Sequence, residues 1–417
     1  MNTPNTYQKD TQVFGLPPER GRIIFLFLGL SAMLCMGTAY SWSIFKKPLQ
    51  ELHDIQATAS LLPFTVMLVM YAGCMPLAGA FMNRLGPGVM MRIGAVLIGA
   101  GYVLSGFATS TLTLVLSYGV LSGAGVGIAY GAPLAVTASW FPDKKGLAMG
   151  VTMVGFGLSP LVTAPLAKFL IDRVGVQQTF WTLGVGFLIL LLLISFFLRY
   201  RPACDVPSAS GPSQSKQAVK TPYPDRPVRT PVFHALCACY TIGTFVGLSA
   251  IGISSSVAQE IVKVPPETAA LWVSVFAVFN GVGRPLFGWL ADVRSPRFAA
   301  LISYACILLA SGIMLTTGEG DLLKYAFSFS LFWMCLGGWL ALAPTATLKL
   351  FDPDSYARNY GLVFISYGVG ALSGTLITGT IRDLTGSYAL VFIPTAFLAL
   401  VGILLAVVFL KPARSTV

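Results

Sequence analysis

Gly79-Ala80-Phe81-Met82-Asn83-Arg84-Leu85-Gly86-Pro87 returns in the second half of the chain as Gly288-Trp289-Leu290-Ala291-Asp292-Val293-Arg294-Ser295-Pro296. In both copies an apolar run ends in polar and charged residues, and a proline opens the next apolar run. A proline is well suited to the first turn of a helix, where no backbone N–H is needed. A second pair repeats at nearly the same separation: Gly150 to Gly157 against Gly361 to Gly368. Two matched turns in matched places make the chain a tandem of two similar halves.

Working outward from these turns, twelve stretches are long enough, at about 20 residues each, to cross a bilayer as helices. Their cores are 23–45, 59–82, 91–109, 112–140, 146–170 and 178–198 in the first half, and 232–257, 267–291, 297–317, 322–349, 357–382 and 387–410 in the second. The 417 residues are 55% hydrophobic and only 10% charged, against about 25% charged in soluble domains. The expected fold is therefore an all-α membrane protein of twelve transmembrane helices in two parallel six-helix repeats, an arrangement that places a central site between the halves.

The domain division follows: a cytoplasmic tail over 1–22, a six-helix half over 23–198, a linker over 199–231, a second half over 232–410 and a short tail over 411–417. The linker is rich in Pro, Ser, Lys and Arg and has no apolar periodicity with which to build a core. The first apolar run is too long for a signal-peptide core and has no small-residue cleavage pattern behind it, so it is expected to stay as a helix.

The net charge of +11 would suggest nucleic acid in a soluble protein, but here it is a matter of topology. With both termini on one side, Lys and Arg outnumber Asp and Glu by more than two to one on that side and are balanced by them on the other. Retention of cations inside places the termini in the cytoplasm, and the expected location is the inner membrane of a bacterium. The seven cysteines fall mostly within apolar runs and read as packing residues. Cys237 and Cys239 have no His or carboxylate beside them to complete a metal site. No cofactor and no metal are expected.

Both turns resemble the Gly-x-x-x-Asp-Arg-x-Gly element of the major facilitator superfamily, with Asn83 where the family usually has Asp and with Asp292 and Arg294 closer to the pattern in the second copy. Trp140-Phe141-Pro142-Asp143-Lys144-Lys145-Gly146-Leu147-Ala148-Met149-Gly150, with Asn280-x-x-x-Arg284-Pro285, is similar to the monocarboxylate and oxalate:formate porter branch of that superfamily. The resemblance covers all twelve helices. It implies proton-coupled transport of a monocarboxylate, L-lactate first, by a carrier working as a monomer. It also implies conformational roles for Arg84, Asp143, Asp292 and Arg294. The animal members of the branch carry a carboxylate four residues before the helix-eight arginine, where this chain has Asn280. They also carry a Lys on the first helix, where this chain has Lys46 and Lys47 at the outer end.

The residues themselves point to a site. By position, Arg284 is the only charged residue or His well inside an apolar run, and a cation at that depth costs at least about 2.5 kcal/mol to insert. A planar guanidinium facing a cavity would bind a carboxylate well, and no buried acid is expected to neutralise it permanently. Asn280, one turn earlier, shares its face; it either holds the guanidinium, bonds a substrate hydroxyl, or ties two helices together. Tyr40, Tyr130 and Tyr367 lie several residues from their helix ends and are expected to line the cavity, each with an apolar ring and one polar tip. Oxalate-handling relatives have a Lys where this chain has Tyr367, so a single strong cation should suit one carboxylate better than two.

Other chemistries fail. An enzyme needs a nucleophile with its base, a carboxylate pair or metal ligands at depth, whereas His53 and His234 lie near helix ends. Gly123, Gly125, Gly127 and Gly131 lack the strand and the Lys-Ser/Thr ending of a phosphate loop. Close helix packing explains them better. Anion exchange of the oxalate:formate type remains open beside symport, and a passive channel more distantly. For the proton, three routes stand: Glu260 or Glu267 near the outer mouth, a change in the partners of Arg284, or carriage on the acid itself.

Overall fold

The structure is a computed structural model that describes residues 17–141, 145–201, 230–351 and 356–410. Among these, twelve helices are long and apolar enough to cross a membrane. They are α1 (Arg20–His53), α2 (Ala57–Met82), α3 (Pro87–Ser105), α4 (Thr111–Trp140), α5 (Ala148–Val174), α6 (Val176–Phe197), α7 (Pro231–Glu260), α8 (Pro266–Val293), α9 (Pro296–Met314), α10 (Leu322–Leu350), α11 (Asn359–Thr385) and α12 (Ala389–Phe409). Asp143, most of the 199–231 linker and the tail over 411–417 lie outside the described residues.

The helix ends follow local rules. Pro87, Pro231, Pro266 and Pro296 open α3, α7, α8 and α9, and the hydroxyls of Thr230 and Ser295 accept from the third backbone N–H beyond them, as N-caps do. Gly86 and Gly175 turn the chain between α2 and α3 and between α5 and α6 with φ of 77° and 84°, a left-handed conformation that a side chain would strain.

The first helix departs from expectation. It runs to His53 through a 3₁₀ turn at Gly37–Ser41, eight residues past the apolar core read from the sequence. Its outer segment is amphipathic: Ile44, Phe45, Lys46 and Leu49 are buried while Lys47 and Glu51 face outward. A left-handed Asp54 ends it.

Apolar side chains such as Phe27, Leu77, Phe169, Leu193, Phe397 and Leu404 cover the outside of the bundle. Water does not tolerate so continuous an apolar surface, but a bilayer requires it. The glycines of α4 do what close packing asks. A Cβ at Gly125 would lie 2.9 Å from the Gly94 carbonyl oxygen of α3, and one at Gly127 would lie 2.8 Å from the Tyr71 carbonyl oxygen of α2.

The two six-helix units meet where α2 packs on α11 and α5 on α8. The hydroxyls of Thr65 and Thr375 touch across the first seam, and Gly379 there brings α11 so near that a Cβ would sit 2.6 Å from the Thr58 Cα. Across the second, the Ser274 hydroxyl donates to the Pro160 carbonyl at 3.2 Å. With twelve such helices among the described residues, the start of α1 and the end of α12 share one face, called the terminal face below.

Candidate functional site

The site begins on α8. Arg284 is 6% exposed although it lies in mid-helix, and three neighbours define its place. Its Nη1 donates to the Met153 carbonyl of α5 at 2.6 Å. Its Nη2 reaches Asn280 Oδ1 at 3.5 Å, the long limit of a hydrogen bond. Asn280 in turn donates from Nδ2 to the Trp333 carbonyl of α10 at 3.0 Å. Two of the three roles open to Asn280 in the sequence thus coexist: it ties α8 to α10 and steadies the guanidinium. Arg284 Nε is buried with no partner, an arrangement that costs free energy unless a ligand fills it.

Two glycines make this geometry sterically possible. A Cβ at Gly157 of α5 would fall 2.7 Å from Asn280 Oδ1 and 3.3 Å from Arg284 Nε and Nη2. At Gly337 of α10 a Cβ would collide with the Asn280 backbone. The first leaves room for the guanidinium, and the second lets α10 come near enough for its carbonyl to accept from Asn280.

The three tyrosines expected to line the cavity converge on one another instead, and none of them lies in the wall of the cavity that includes Arg284. Tyr40, Tyr130 and Tyr367 are all buried, and the phenols of Tyr40 on α1 and Tyr367 on α11 lie 3.2 Å apart across the two halves. Sequence reading missed their partners. Tyr71 of α2 stands 5.2 Å from Tyr130 and 5.7 Å from Tyr367 between ring centroids. Phe156, beside Gly157, meets Tyr40 and Tyr130 edge-on at 5.1 and 5.6 Å, and Trp333, which anchors Asn280, meets Tyr40 at 6.4 Å. Phe156 and Trp333 therefore join the aromatic cage to the arginine. Their one sequence signal was helical position; Tyr71 carried a better one, a phenol in the middle of an apolar run.

A second buried cation corrects the expectation that Arg284 stands alone. Lys46 of α1 is fully buried, its ammonium bonded to the Ser256 hydroxyl of α7 at 3.3 Å and to the Tyr388 phenol. Both partners are neutral and both belong to the other half. Among the described residues, Lys46 and Arg284 are the buried charged side chains, and both are positive.

Around Lys46 the face opposite the termini is sealed by ties between the halves. Asp383 of α11 accepts from the backbone N–H groups of Ala57 and Thr58 at 2.8 and 2.9 Å, so a carboxylate caps the N-terminal end of α2, where the helix dipole favours it. Lys47 donates to Gln259 at 3.1 Å, and Lys168 reaches Glu267 at 3.2 Å. Glu260 is held by Arg382 at 2.7 Å.

On the terminal side the structure opens. A cavity of about 550 Å³ lies between α5, α8 and α10 and includes Arg284 in its wall. The turn residues lie at its rim and beyond. Asp292 pairs with Lys349 at 2.9 Å, Arg294 stacks on Phe298 with 5.9 Å from guanidinium carbon to ring centre, and Arg84 is exposed at the end of its helix. No group of three or more metal-ligating side chains occurs among the described residues.

The family model described as Major Facilitator Superfamily matches residues 27–348 and 237–417. The oxalate:formate antiporter of Oxalobacter formigenes is 29% identical over 90% of this chain and 87% of its own length. Human monocarboxylate transporter 12 is 27% identical over 78% of this chain and 67% of its own. Among solved structures, a bacterial homolog of the human lysosomal transporter Spinster, in an inward-facing and unoccupied conformation, superposes with a TM-score of 0.72. That match covers 95% of this chain and 99% of the other at 16% identity.

Proposed function

The chain belongs to the Major Facilitator Superfamily, and from that premise we propose that it is a secondary active carrier of small monocarboxylates, L-lactate first, moving with a proton by alternating access. The single observation that carries the reading is Arg284: a buried guanidinium with an unpartnered Nε, in a protein whose other described buried charge is also positive. An anion is the missing partner, and a planar fork favours a carboxylate.

The steps follow from the contacts. A carboxylate enters from the terminal side and pairs with Arg284, while Asn280 keeps the guanidinium oriented. Tyr40 and Tyr367 close above it from opposite halves. For the outer face to open, Lys46 must leave Ser256 and Tyr388, and Asp383 must leave the start of α2. By the positive-inside count we take the terminal face to be the cytoplasmic one, in a bacterial inner membrane, and the carrier to act as a monomer. The proton travels on the acid, through a change in the partners of Arg284, or through the acidic groups at the outer seal, Glu260 and Glu267, each of which is held by a cation.

Exchange of two anions is the second reading, favoured by the 29% identity to an oxalate:formate antiporter. Uptake of labelled L-lactate into proteoliposomes separates the two. Accumulation driven by an inward proton gradient and abolished by an uncoupler supports symport. Uptake that requires trapped oxalate or formate supports exchange, and a conductive current without saturation would overturn both in favour of a channel.

A further inference from the structure

The cavity beside Arg284 is larger and more apolar than lactate needs. Its wall is made by Val151, Met153 and Val154 of α5, Pro285 and Trp289 of α8, and Leu340 of α10, with two glycines and two charged residues completing the α8 and α5 sides. Of those charges, Arg284 stands at the inner end and Asp292, already paired with Lys349, at the mouth. Arg284, Gly288 and Asp292 fall on successive helical turns, so this wall runs about 12 Å along α8.

Among the described residues, side chains leave this space unfilled. A Cβ at Gly150 would meet nothing within 4 Å, and one at Gly288 only the Ala341 Cβ at 3.7 Å, whereas Gly157 and Gly337 nearby are jammed against their neighbours. Protein interiors seldom leave voids larger than a water molecule, and water is poorly held by a wall with so few polar partners. One side of the crevice is formed by Trp289, which is 59% exposed.

A buried cation with an unpartnered N–H at the closed end of a long apolar slot describes the complement of an amphiphile. We propose that the site takes medium-chain monocarboxylates, hexanoate to decanoate, with the carboxylate on Arg284 and the acyl chain laid along α8 between α5 and α10. This rests on the carboxylate reading above and extends it: lactate occupies the polar end, and a longer acid fills the slot. Each methylene that enters should tighten binding about fourfold, as transfer of a CH₂ from water predicts.

The test is calorimetric titration of the purified full chain in nanodiscs with acetate, butyrate, hexanoate and octanoate at neutral pH, with methyl octanoate as an uncharged control. The expected result is affinity that climbs with length in the wild type, no response to the ester beyond its partition into empty nanodiscs, and loss of binding at every length in Arg284→Gln. Gly288→Leu, which places a side chain in the slot, should lower the octanoate-to-butyrate affinity ratio at least tenfold; Gly150→Leu does the same from the opposite wall should the first variant fold poorly. Equal affinity for all lengths overturns this inference and leaves the carboxylate reading standing. A length dependence shared by the ester, or unmoved in both leucine variants, also overturns it and marks the crevice as a groove for bilayer lipid. If no carboxylate of any length binds, the carboxylate reading itself falls.

Discussion

Replacing Arg284 by Gln should weaken binding and leave stability nearly unchanged. The guanidinium is 6% exposed, makes two hydrogen bonds and leaves Nε without a partner. Burying a cation in mid-membrane costs about 2.5–3.5 kcal/mol on insertion scales. The two bonds, one of them at the long limit, return about 1.5–3 kcal/mol each at best. With the bond at the long limit worth little, the terms nearly cancel, so the unliganded Gln variant should unfold close to the wild-type temperature. For the carboxylate the balance is one-sided. A bidentate pair uses two charge-assisted bonds, of which an amide recovers one neutral bond, and the loss is about 3 kcal/mol, roughly a hundredfold in Kd. Thermal unfolding of the purified variant, followed by titration with L-lactate, reads both quantities. A variant that fails to fold would show that the guanidinium is a structural tie, and one that binds lactate within threefold of wild type would falsify the site.

Three further outcomes are expected. Gly157→Ala places a methyl 2.7 Å from Asn280 Oδ1 and 3.3 Å from two guanidinium nitrogens; since Asn280 is pinned by α10, the guanidinium must shift, and carboxylate affinity should fall about tenfold at an overpacking cost of about 1–3 kcal/mol, checked by titration and thermal unfolding. Lys46→Met and Asp383→Asn each remove a tie between the halves, so a cysteine at Thr65, buried in the α2–α11 seam, should react faster with an impermeant thiol reagent from outside in a cysteine-free background; unchanged rates would mean that these contacts do not hold the outer face shut. Tyr367→Lys adds a cation next to Tyr40 and should raise the affinity for oxalate relative to lactate, and an unmoved ratio removes the argument that one cation selects one carboxylate.

What the sequence disclosed depended on whether a feature was local. Twelve apolar runs and the prolines that open helices are local, and they reappear in the structure within a few residues except at the outer end of α1. Arg284 was legible for the same reason, a charge in an apolar run being visible without a fold. Lys46 was not, because its burial is supplied by residues far along the chain: Ser256 of α7 and Tyr388 before α12 cover the end of α1, and nothing near residue 46 announces them. Tyr71, Phe156 and Trp333 were hidden otherwise, as ordinary members of apolar stripes whose importance lies in which stripe meets which.

The two buried cations, taken together, constrain the transport cycle more than either does alone. Arg284 is contacted by α5 of the other half and lies on the open, terminal side, where an anion can reach it. Lys46 lies on the sealed side and is bonded only to neutral hydroxyls of the other half. Both therefore sit at seams that must part as the halves rock. A seam holding an unneutralised cation resists desolvation, so closure on the terminal side should be favoured once an anion pairs with Arg284. Release of Lys46 to water on the other side returns the hydration it lacks when sealed and lowers the cost of opening there. An anion bound at one seam and a cation rehydrated at the other act in the same direction, which couples loading from the terminal side to outward opening without any permanent carboxylate at the centre of the membrane.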